Sequence, residues 1–416
     1  MRVYKPSGIK WLGEIPQSWE NVSIRSCFTE SNQRCNTDSY PLLSVTIANG
    51  IIYQDDIENK KDISNDDKSN YKIVPLNAVA YNKMRMWQGA VGVNTLTIGI
   101  VSPAYIVAIP NEKILPNFVS YLFKSKIMIS EFDKNSYGLC LDMNNLRYDD
   151  FRNIKIPLPP LQEQKEIAEF LDKKCEKIQN YIDKKQKLIT LLQEKKQALI
   201  NEAVTKGLNP NIEFKNSGIA YLGLIPHHWE VKKLKHICKI NPQTNETLPN
   251  NFVYIDLESV AKGQLLKEQT INKEQAPSRA QRILQKQDIL FQLVRPYQRN
   301  NYIFNKNGDY VASTGYAQIR TKECVNFVYY ALLENSFVER VILKSTGSNY
   351  PAITSNDFAD LKIPLPPLQE QKQIANFLDE KCEKINSAIE KTKKQIELIK
   401  EYKNTLINEA VCGRIR

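Results

Sequence analysis

Apolar residues recur at alternating steps of four and three positions along two long stretches, residues 161–204 and 368–411, which contain no glycine or proline. This spacing lines apolar side chains along one seam of an α-helix, as in a coiled coil. Because a helix of this length cannot bury such a seam by itself, we expect the two helices to pair. The predicted seam residues are Leu171, Cys175, Ile178, Ile182, Ile189, Leu192 and Leu199 in the first stretch, and Leu378, Cys382, Ile385, Ile389, Ile396, Ile399 and Leu406 in the second.

Two positions of each seam hold a polar residue, Lys185 and Lys196 in the first helix and Thr392 and Lys403 in the second. A long lysine stem can lie along an apolar seam while its ammonium group stays in water. These positions therefore need not end either helix. The alternative, that each helix packs on its own neighbouring domain, stays open at this point.

The two helical stretches belong to a repeat that runs through the chain. A proline motif, Ile-Pro-Leu-Pro-Pro-Leu-Gln-Glu-Gln-Lys, occupies residues 156–165 and returns unchanged at 363–372. A tryptophan motif, residues 7–20, returns in similar form at 217–230, whereas the long segments between these motifs differ from each other. Matching helices joined to unlike inserts favour an antiparallel intramolecular coiled coil with approximate two-fold symmetry.

The inserts have the pattern of mixed α/β domains. Short apolar runs separated by polar turns predict strands in both, and each holds one helical segment, 117–132 or 326–343, that opens with Asn-Phe-Val. A chain of 416 residues also exceeds what a single core usually supports. The predicted class is therefore α+β, with two α/β domains separated by two long helices. We expect boundaries at 1–153, 154–206, 207–360 and 361–416, the second and fourth regions being the helical ones.

The formal net charge of +11 attracts polyanions such as DNA, but it is unevenly distributed. Residues 21–153 contain 14 Lys and Arg against 14 Asp and Glu, whereas residues 231–360 contain 17 against 12. The first insert therefore needs a local basic cluster if it is to bind DNA.

Loops that combine basic, amide and aromatic side chains are the candidate DNA-binding sites. Arginine can bond the edge of guanine with two hydrogen bonds, and Asn or Gln can do the same with adenine, whereas Lys grips phosphate. An ordinary surface loop remains the alternative for each. The candidates are Asn82, Lys83, Arg85, Trp87 and Gln88 with Ser136 and Tyr137 in the first insert, and Gln292, Arg295, Tyr297, Gln298, Arg299 and Asn300 with Thr346, Ser348, Asn349 and Tyr350 in the second.

Several catalytic classes lack their sequence motifs. The chain contains no Gly-x4-Gly-Lys-Ser/Thr phosphate loop, no Asn-Pro-Pro-Tyr/Phe run and no Cys-x-x-Cys pair. The histidines are His227, His228 and His236, and Gln17 and Ser18 replace the first two in the other repeat. We therefore expect a noncatalytic protein without a metal site. No apolar run of 18 residues and no secretory signal occur, so a cytoplasmic protein without membrane contact is expected.

The ordered pair of proline and tryptophan motifs resembles the specificity (S) subunit of type I restriction–modification systems. The run Gly-Ile-x-x-Leu-Gly-x-Ile-Pro-x-x-Trp from Gly8 resembles the start of the recognition halves in that family. Residues 288–291, 295–297 and 346–348 are similar to runs common in its recognition domains. Residues 135–138 match the Thr-Gly-Ser loop of that family only loosely.

The resemblance implies that each insert is a target-recognition domain reading one half of an interrupted DNA sequence. The helices would set the unread spacer, with the half-sites centred about one turn of the duplex apart, and would dock two modification subunits. Those subunits would carry S-adenosylmethionine for adenine-N6 methylation, and restriction subunits would use ATP and Mg²⁺ to translocate and cleave double-stranded DNA. No cofactor is expected on this chain itself.

Two other classes remain open from the sequence. One is a standalone sequence-specific DNA-binding or architectural protein without methyltransferase partners. The other is an enzyme with an unrecognised active site. Co-purification with a methyltransferase would distinguish a specificity subunit from the first class. DNA modification or cleavage by the purified chain alone would reveal the second.

Overall fold

The structure is a computed structural model that describes residues 2–35, 40–57, 67–138, 144–243 and 246–415. The chain divides into two compact units, residues 1–185 with 394–416 (unit 1) and residues 186–393 (unit 2). Each unit therefore contains half of each long helix.

The first repeat of the chain, most of which lies in unit 1, begins with short strands, continues through a mixed insert and ends on the first long helix. Its elements are β1 (Tyr4–Pro6), β2 (Glu14–Pro16), β3 (Glu20–Ser23), β4 (Phe28–Ser31), β5 (Leu43–Thr46), β6 (Gly50–Tyr53), β7 (Lys72–Val74), β8 (Val79–Asn82), β9 (Val91–Val93), β10 (Gly99–Val101), β11 (Tyr105–Pro110), α1 (Pro116–Lys124), α2 (Lys126–Lys134), α3 (Tyr148–Phe151), β12 (Lys155–Leu158) and α4 (Leu161–Lys206).

The central sheet of unit 1 has the order β4-β11-β8-β9 with antiparallel neighbours. Apolar side chains from α1, α2 and α3 meet beside it. Phe123 lies 5.6 Å from Phe132 and 5.7 Å from Phe151 between ring centroids, both at edge-to-face angles. This arrangement is favourable for aromatic pairs. The described part of the insert also contains two antiparallel pairs, the hairpin of β5 with β6 and the nonsequential pair of β7 with β10.

The second repeat of the chain, most of which lies in unit 2, follows this order and adds strands of its own. Its elements are β13 (Phe214–Asn216), β14 (Leu224–Pro226), β15 (Glu230–Lys233), α5 (Leu234–Ile237), β16 (Cys238–Ile240), β17 (Asn251–Ile255), β18 (Val260–Ala261), β19 (Gln264–Leu265), β20 (Gln269–Asn272), β21 (Ala280–Ile283), β22 (Ile289–Gln292), β23 (Tyr302–Ile303), β24 (Tyr310–Ser313), β25 (Tyr316–Thr321), α6 (Val325–Leu333), α7 (Asn335–Leu343), α8 (Ser355–Ala359), β26 (Lys362–Leu365) and α9 (Leu368–Val411).

Two four-stranded sheets form unit 2. The sheet β16-β25-β22-β23 is antiparallel and corresponds to the central sheet of unit 1. The second sheet, β20-β17-β24-β21, contains a parallel pair between β17 and β24. The inserts thus share one sheet and differ in the structure built beside it.

Each predicted helical segment of the inserts is in fact two helices, so the expectation of one continuous helix is wrong. The break falls at Ser125 in unit 1 and at Glu334 in unit 2, both in extended conformation. The Ser125 hydroxyl accepts a hydrogen bond from Met128 N, and the Glu334 carboxylate accepts from Ser336 N and Phe337 N. These side chains cap a new helix start, which competes with continuation of the first helix.

The two long helices pair in antiparallel fashion, as predicted. In unit 1 the first half of α4 lies beside the last half of α9. Burial there raises the pKa of the Cys175 thiol, and the positive charge of Lys403 on α9 acts against this shift. In unit 2 the Lys196 ammonium donates to Asn386 Oδ1 at 2.9 Å. The polar seam position Thr392 is buried, with its hydroxyl bonded to the Ala388 carbonyl. The predicted seam residues are all buried or half-buried.

The proline motif connects each insert to its long helix. Its first residues form β12 or β26, which pair with β3 or β15 from the end of the tryptophan motif. The helix then begins at Leu161 or Leu368, directly after the two prolines. Proline fits here because the first turn of a helix leaves its N–H groups without intrahelical partners.

Candidate nucleic-acid interface

Loop A of unit 1, residues 82–89, connects β8 to β9 through a single 3-10 turn at Met86–Gln88. Met86 is fully buried and anchors the turn, and Gly89 has a positive φ of 90° that lets the chain re-enter the sheet. Arg85 and Gln88 are exposed on either side of this anchor. The loop therefore presents basic and amide groups from a rigid base.

Loop A of unit 2, residues 292–301, has the same 3-10 turn at Pro296–Gln298, flanked by Arg295 and Arg299 in left-handed conformation. Gln292 holds the loop together: its Nε2 donates to Gln298 Oε1 at 2.8 Å and its Oε1 accepts from Asn300 N at 3.2 Å. Gln292 is only 1% exposed. Its buried side chain stabilises the loop through these two hydrogen bonds and does not face solvent.

Loop B of unit 2, residues 345–350, lies directly against loop A. Arg295 N donates to the Pro351 carbonyl at 2.7 Å, and the Arg295 guanidinium lies 4.2 Å above the centroid of the Tyr350 ring. Loop B closes through paired backbone hydrogen bonds between Thr346 and Ala352. The two loops that the sequence suggested separately therefore form one surface.

The same pairing occurs in unit 1, although its loop B (residues 135–138) only loosely matches the family pattern. Tyr137 and Asn145 exchange backbone hydrogen bonds at 3.1 and 2.9 Å, and Leu146 N donates to the Lys83 carbonyl at 2.8 Å. Loop B thus occupies the equivalent place beside loop A. Tyr137 is 67% exposed there.

The candidate residues divide by what their side chains contact. Arg299 is held by the protein: its Nη1 donates to Asn335 Oδ1 at 2.7 Å, and burial lowers the pKa of its guanidinium. Ser136 bonds the Phe132 carbonyl at 2.7 Å. Half-buried candidates are Asn82, Lys83, Trp87, Arg295 and Asn300, and exposed ones are Arg85, Gln88, Tyr137, Tyr297, Gln298, Thr346, Ser348, Asn349 and Tyr350.

Two supporting groups were missed by the sequence reasoning. The Lys124 ammonium, at the end of α1, donates to the carbonyls of Thr46, Ile47 and Gly89 at 3.1, 2.7 and 3.0 Å, and so fixes the end of loop A. Burial lowers the pKa of Lys124 to about 8. No sequence signal distinguishes this lysine from those on the surface.

The second missed group is a buried carboxylate below loop A of unit 2. Asp288 is fully buried and accepts two hydrogen bonds from the Arg320 guanidinium at 2.8 and 2.9 Å and one from Gln318 at 2.7 Å. The pair joins the start of β22, which leads into loop A, to β25. The sequence feature that could have identified Asp288 is the position of an acidic residue immediately before an apolar strand.

Each insert is attached to its long helix by the same two contacts. Gln164 Oε1 accepts from Leu115 N at 2.8 Å, and Gln371 Oε1 accepts from Cys324 N at 3.1 Å. Both glutamines lie seven residues before the first seam leucine, so extending the seam by one heptad would have identified them. Their repetition indicates that both inserts are fixed to the helices in the same way.

A tyrosine–aspartate hydrogen bond forms the second contact. Tyr121 donates to Asp172 Oδ1 at 2.5 Å and Tyr330 donates to Asp379 Oδ1 at 2.8 Å. Burial, together with the acceptor carboxylate, raises the pKa of both tyrosines. The bonds join α1 to α4 in unit 1 and α6 to α9 in unit 2.

Among the described residues, no three His, Cys, Asp or Glu side chains are grouped as metal ligands. Within that same part of the chain, no helix has the length and apolarity to cross a bilayer.

Comparisons with known proteins agree with this architecture. The chain is 28% identical over 342 residues to the type I restriction enzyme MjaVIII specificity subunit of Methanocaldococcus jannaschii, covering 76% of this chain and 75% of that protein. It is 27% identical over 450 residues to the putative type I restriction enzyme MjaX specificity subunit of the same organism, covering 100% and 98%.

Solved structures show the same fold. A chain from a structure of complex assembly in a type I R-M system superposes with a TM-score of 0.72 at 16% identity, covering 96% of this chain and 99% of that one. The HsdS subunit from Thermoanaerobacter tengcongensis gives 0.54 at 18% identity, covering 96% and 98%. The family described as type I restriction modification DNA specificity domain matches residues 16–191 and 226–398. The chain belongs to that family, carries its domain twice, and so confirms the resemblance predicted from the repeated motifs.

Proposed function

We propose that this protein is the DNA specificity subunit of a type I restriction–modification complex, in which each unit reads one half of an interrupted DNA target. The observation that carries the proposal is the paired loop surface: loops A and B adjoin in both units, on equivalent sheets, but with different side chains. Equivalent placement with unlike chemistry is what two readers of different half-sites require.

Base reading is assigned to the exposed residues of these loops. Arg85 and Gln88 in unit 1, and Gln298 with Asn349 in unit 2, present groups that can bond base edges in the major groove. Arg295 is stacked on Tyr350, which presents its guanidinium in one orientation. The antiparallel long helices are proposed to hold the half-sites about one turn of DNA apart.

The partners are proposed to be two modification subunits and, in the restricting complex, restriction subunits. A duplicated apolar surface on the long helices supports two equivalent contacts: Phe170 and Ala410 line a concavity in unit 1, and their repeat equivalents Phe377 and Ala203 line one in unit 2. S-adenosylmethionine, ATP and Mg²⁺ would be bound by those partners, which would perform adenine-N6 methylation and ATP-dependent cleavage in the cytoplasm.

Mapping of methylated adenines across the host genome, with and without this gene, tests the function. We expect loss of methylation at one bipartite motif whose halves are separated by a fixed spacer. Replacement of residues 231–357 by the insert of another family member should then change one half of the motif and leave the other unchanged. An unaltered methylation pattern, or failure to co-purify with a methyltransferase, would favour a standalone DNA-binding protein.

A further inference from the structure

A groove beside the candidate reading surface of unit 1 has a separate set of basic residues. This side groove is bounded by residues 8–11 of the tryptophan motif, by the end of α2 (131–135) and by residues 153–155. Its volume is about 880 Å³, and it is open to solvent. Because Asn135 belongs both to its wall and to loop B, the groove continues directly from the loop surface.

The charge of the side groove is positive. Lys10, Lys134 and Lys155 line it together with a single carboxylate, Glu131, which pairs with Lys134 at 2.5 Å. Lys10 and Lys155 are exposed, and neither forms an ion pair within the part of the chain that the structure describes. The half-buried Trp11 adds an aromatic wall. Lys10 and Lys155 thus place positive charge beside the neutral insert, from positions that flank it in the chain.

Unit 2 also has basic residues in the segments equivalent to those of the side groove, but most of them stand at other positions of the repeat. Tyr221 replaces Trp11, and its hydroxyl donates to the Lys362 carbonyl at 3.0 Å. The Arg340 guanidinium lies 5.9 Å from the Tyr221 ring centroid, and Lys344 N bonds the Arg340 carbonyl at 3.2 Å. The Arg340 guanidinium therefore lies beside the equivalent aromatic residue, whereas Lys344 and Lys362 are linked to Arg340 and Tyr221 through backbone atoms.

The two units keep the number of basic residues in these segments but not the positions at which they stand. Lys10 becomes Ala220 and Lys134 becomes Leu343, whereas Glu131 becomes Arg340 and Asn135 becomes Lys344. With Lys155 and its equivalent Lys362, each unit therefore has three basic residues among these five positions. A surface that reads bases depends on particular side chains, whereas a surface that contacts phosphate requires mainly positive charge.

We propose that the side groove of unit 1 binds the DNA phosphate backbone next to its half-site through Lys10 and Lys155, and that Arg340, Lys344 and Lys362 make the equivalent phosphate contact in unit 2. The proposal rests on the proposed function, since it takes DNA as the ligand. In this arrangement these basic residues supply sequence-independent affinity and fix the orientation of the duplex, while loops A and B supply the sequence discrimination.

The salt dependence of DNA binding tests the groove directly. The full chain, with its modification subunits where they co-purify, is titrated onto a 40-bp duplex of mixed sequence at several salt concentrations. The slope of log affinity against log salt should become shallower by about 1 for each phosphate contact removed. For the double variant Lys10→Gln, Lys155→Gln we therefore expect a change of about 2 in the slope.

A matched control is available on the same unit. Lys113→Gln with Lys126→Gln removes the same charge from exposed positions outside the groove. This control should leave the slope close to that of the unaltered protein, and circular dichroism should show that both double variants are folded. If the two double variants have equal slopes, the side groove does not contact phosphate and the proposal is overturned.

The same measurements distinguish failure of the groove from failure of the function. If the unaltered protein shows no salt-dependent DNA binding, the proposed function itself is refuted. If the groove variant changes the preference between the mapped target and the mixed-sequence duplex, the groove reads bases and the phosphate assignment is wrong. Weaker binding to both duplexes by the same factor supports the proposal.

Discussion

Replacing Gln371 by leucine should destabilise unit 2 much more than an ordinary exchange of a polar residue on a helix. The side chain is 1% exposed and makes three hydrogen bonds. Its Oε1 accepts from Cys324 N at 3.1 Å, and its Nε2 donates to the Pro366 carbonyl at 2.9 Å and to Glu323 Oε2 at 2.8 Å. Leucine has a similar size but can make none of these bonds.

The magnitude follows from the groups left behind. The variant leaves the Cys324 N–H and the Pro366 carbonyl without their side-chain partner, and a buried polar group without a partner costs about 1–3 kcal/mol. The free energy of unfolding of unit 2 should therefore fall by about 2–5 kcal/mol. For a unit of this size, that corresponds to a decrease in Tm of roughly 4–20 °C.

Differential scanning calorimetry or urea unfolding provides the assay. Gln369→Leu is the control, because Gln369 lies two residues earlier in the same motif and is exposed. Its effect should stay within about 0.5 kcal/mol. Gln164→Leu should reproduce the large effect in unit 1. Equal stabilities for Gln371→Leu and Gln369→Leu would refute the assignment of the second glutamine as the buried attachment point.

Three further predictions concern single contacts. Asp288→Ala removes the partner of the half-buried Arg320 guanidinium and should lower the unfolding free energy by about 2–3 kcal/mol; urea unfolding that matches the unaltered protein would contradict this. Tyr330→Phe should cost about 1–2 kcal/mol, and Asp379→Asn, which keeps an acceptor, should cost less in the same assay. Because the folded pKa of Lys124 is lowered to about 8, the unfolded chain binds more protons at that group from pH 8 to 10, so stability should rise with pH relative to Lys124→Met. A constant difference between those two proteins would show that Lys124 does not titrate there.

The pairing of the long helices could be predicted because it depends on local periodicity. A seam repeated in two stretches defines which face is buried, and two matching helices in one chain offer each other the nearest complementary surface. The same periodicity contained Gln164 and Gln371, one heptad before the first seam leucine. They were missed because an amide on an apolar stripe does not by itself reveal that its hydrogen bonds are satisfied.

The reading surface could be predicted only as far as its loops. Composition identified loops A and B as separate segments, but contact between Arg295 and Pro351 is made by residues far apart in the chain. Composition also could not separate Arg299, which bonds the start of α7, from Tyr297, whose side chain is exposed. The parallel pairing of β17 with β24 is nonlocal in the same way and has no signal in either strand.

The sequence by itself determined the duplicated frame, the length and pairing of its helices and the presence of two unlike inserts, because repeats and helical periodicity are properties of neighbouring residues. Only the tertiary structure decided that each candidate region becomes a two-loop surface, that Gln292 and Arg299 support it, and that a basic groove lies beside it. The physical reason is that burial and hydrogen bonding depend on which distant segments meet. Side chains of one type, such as Gln369 and Gln371, therefore have different roles two residues apart.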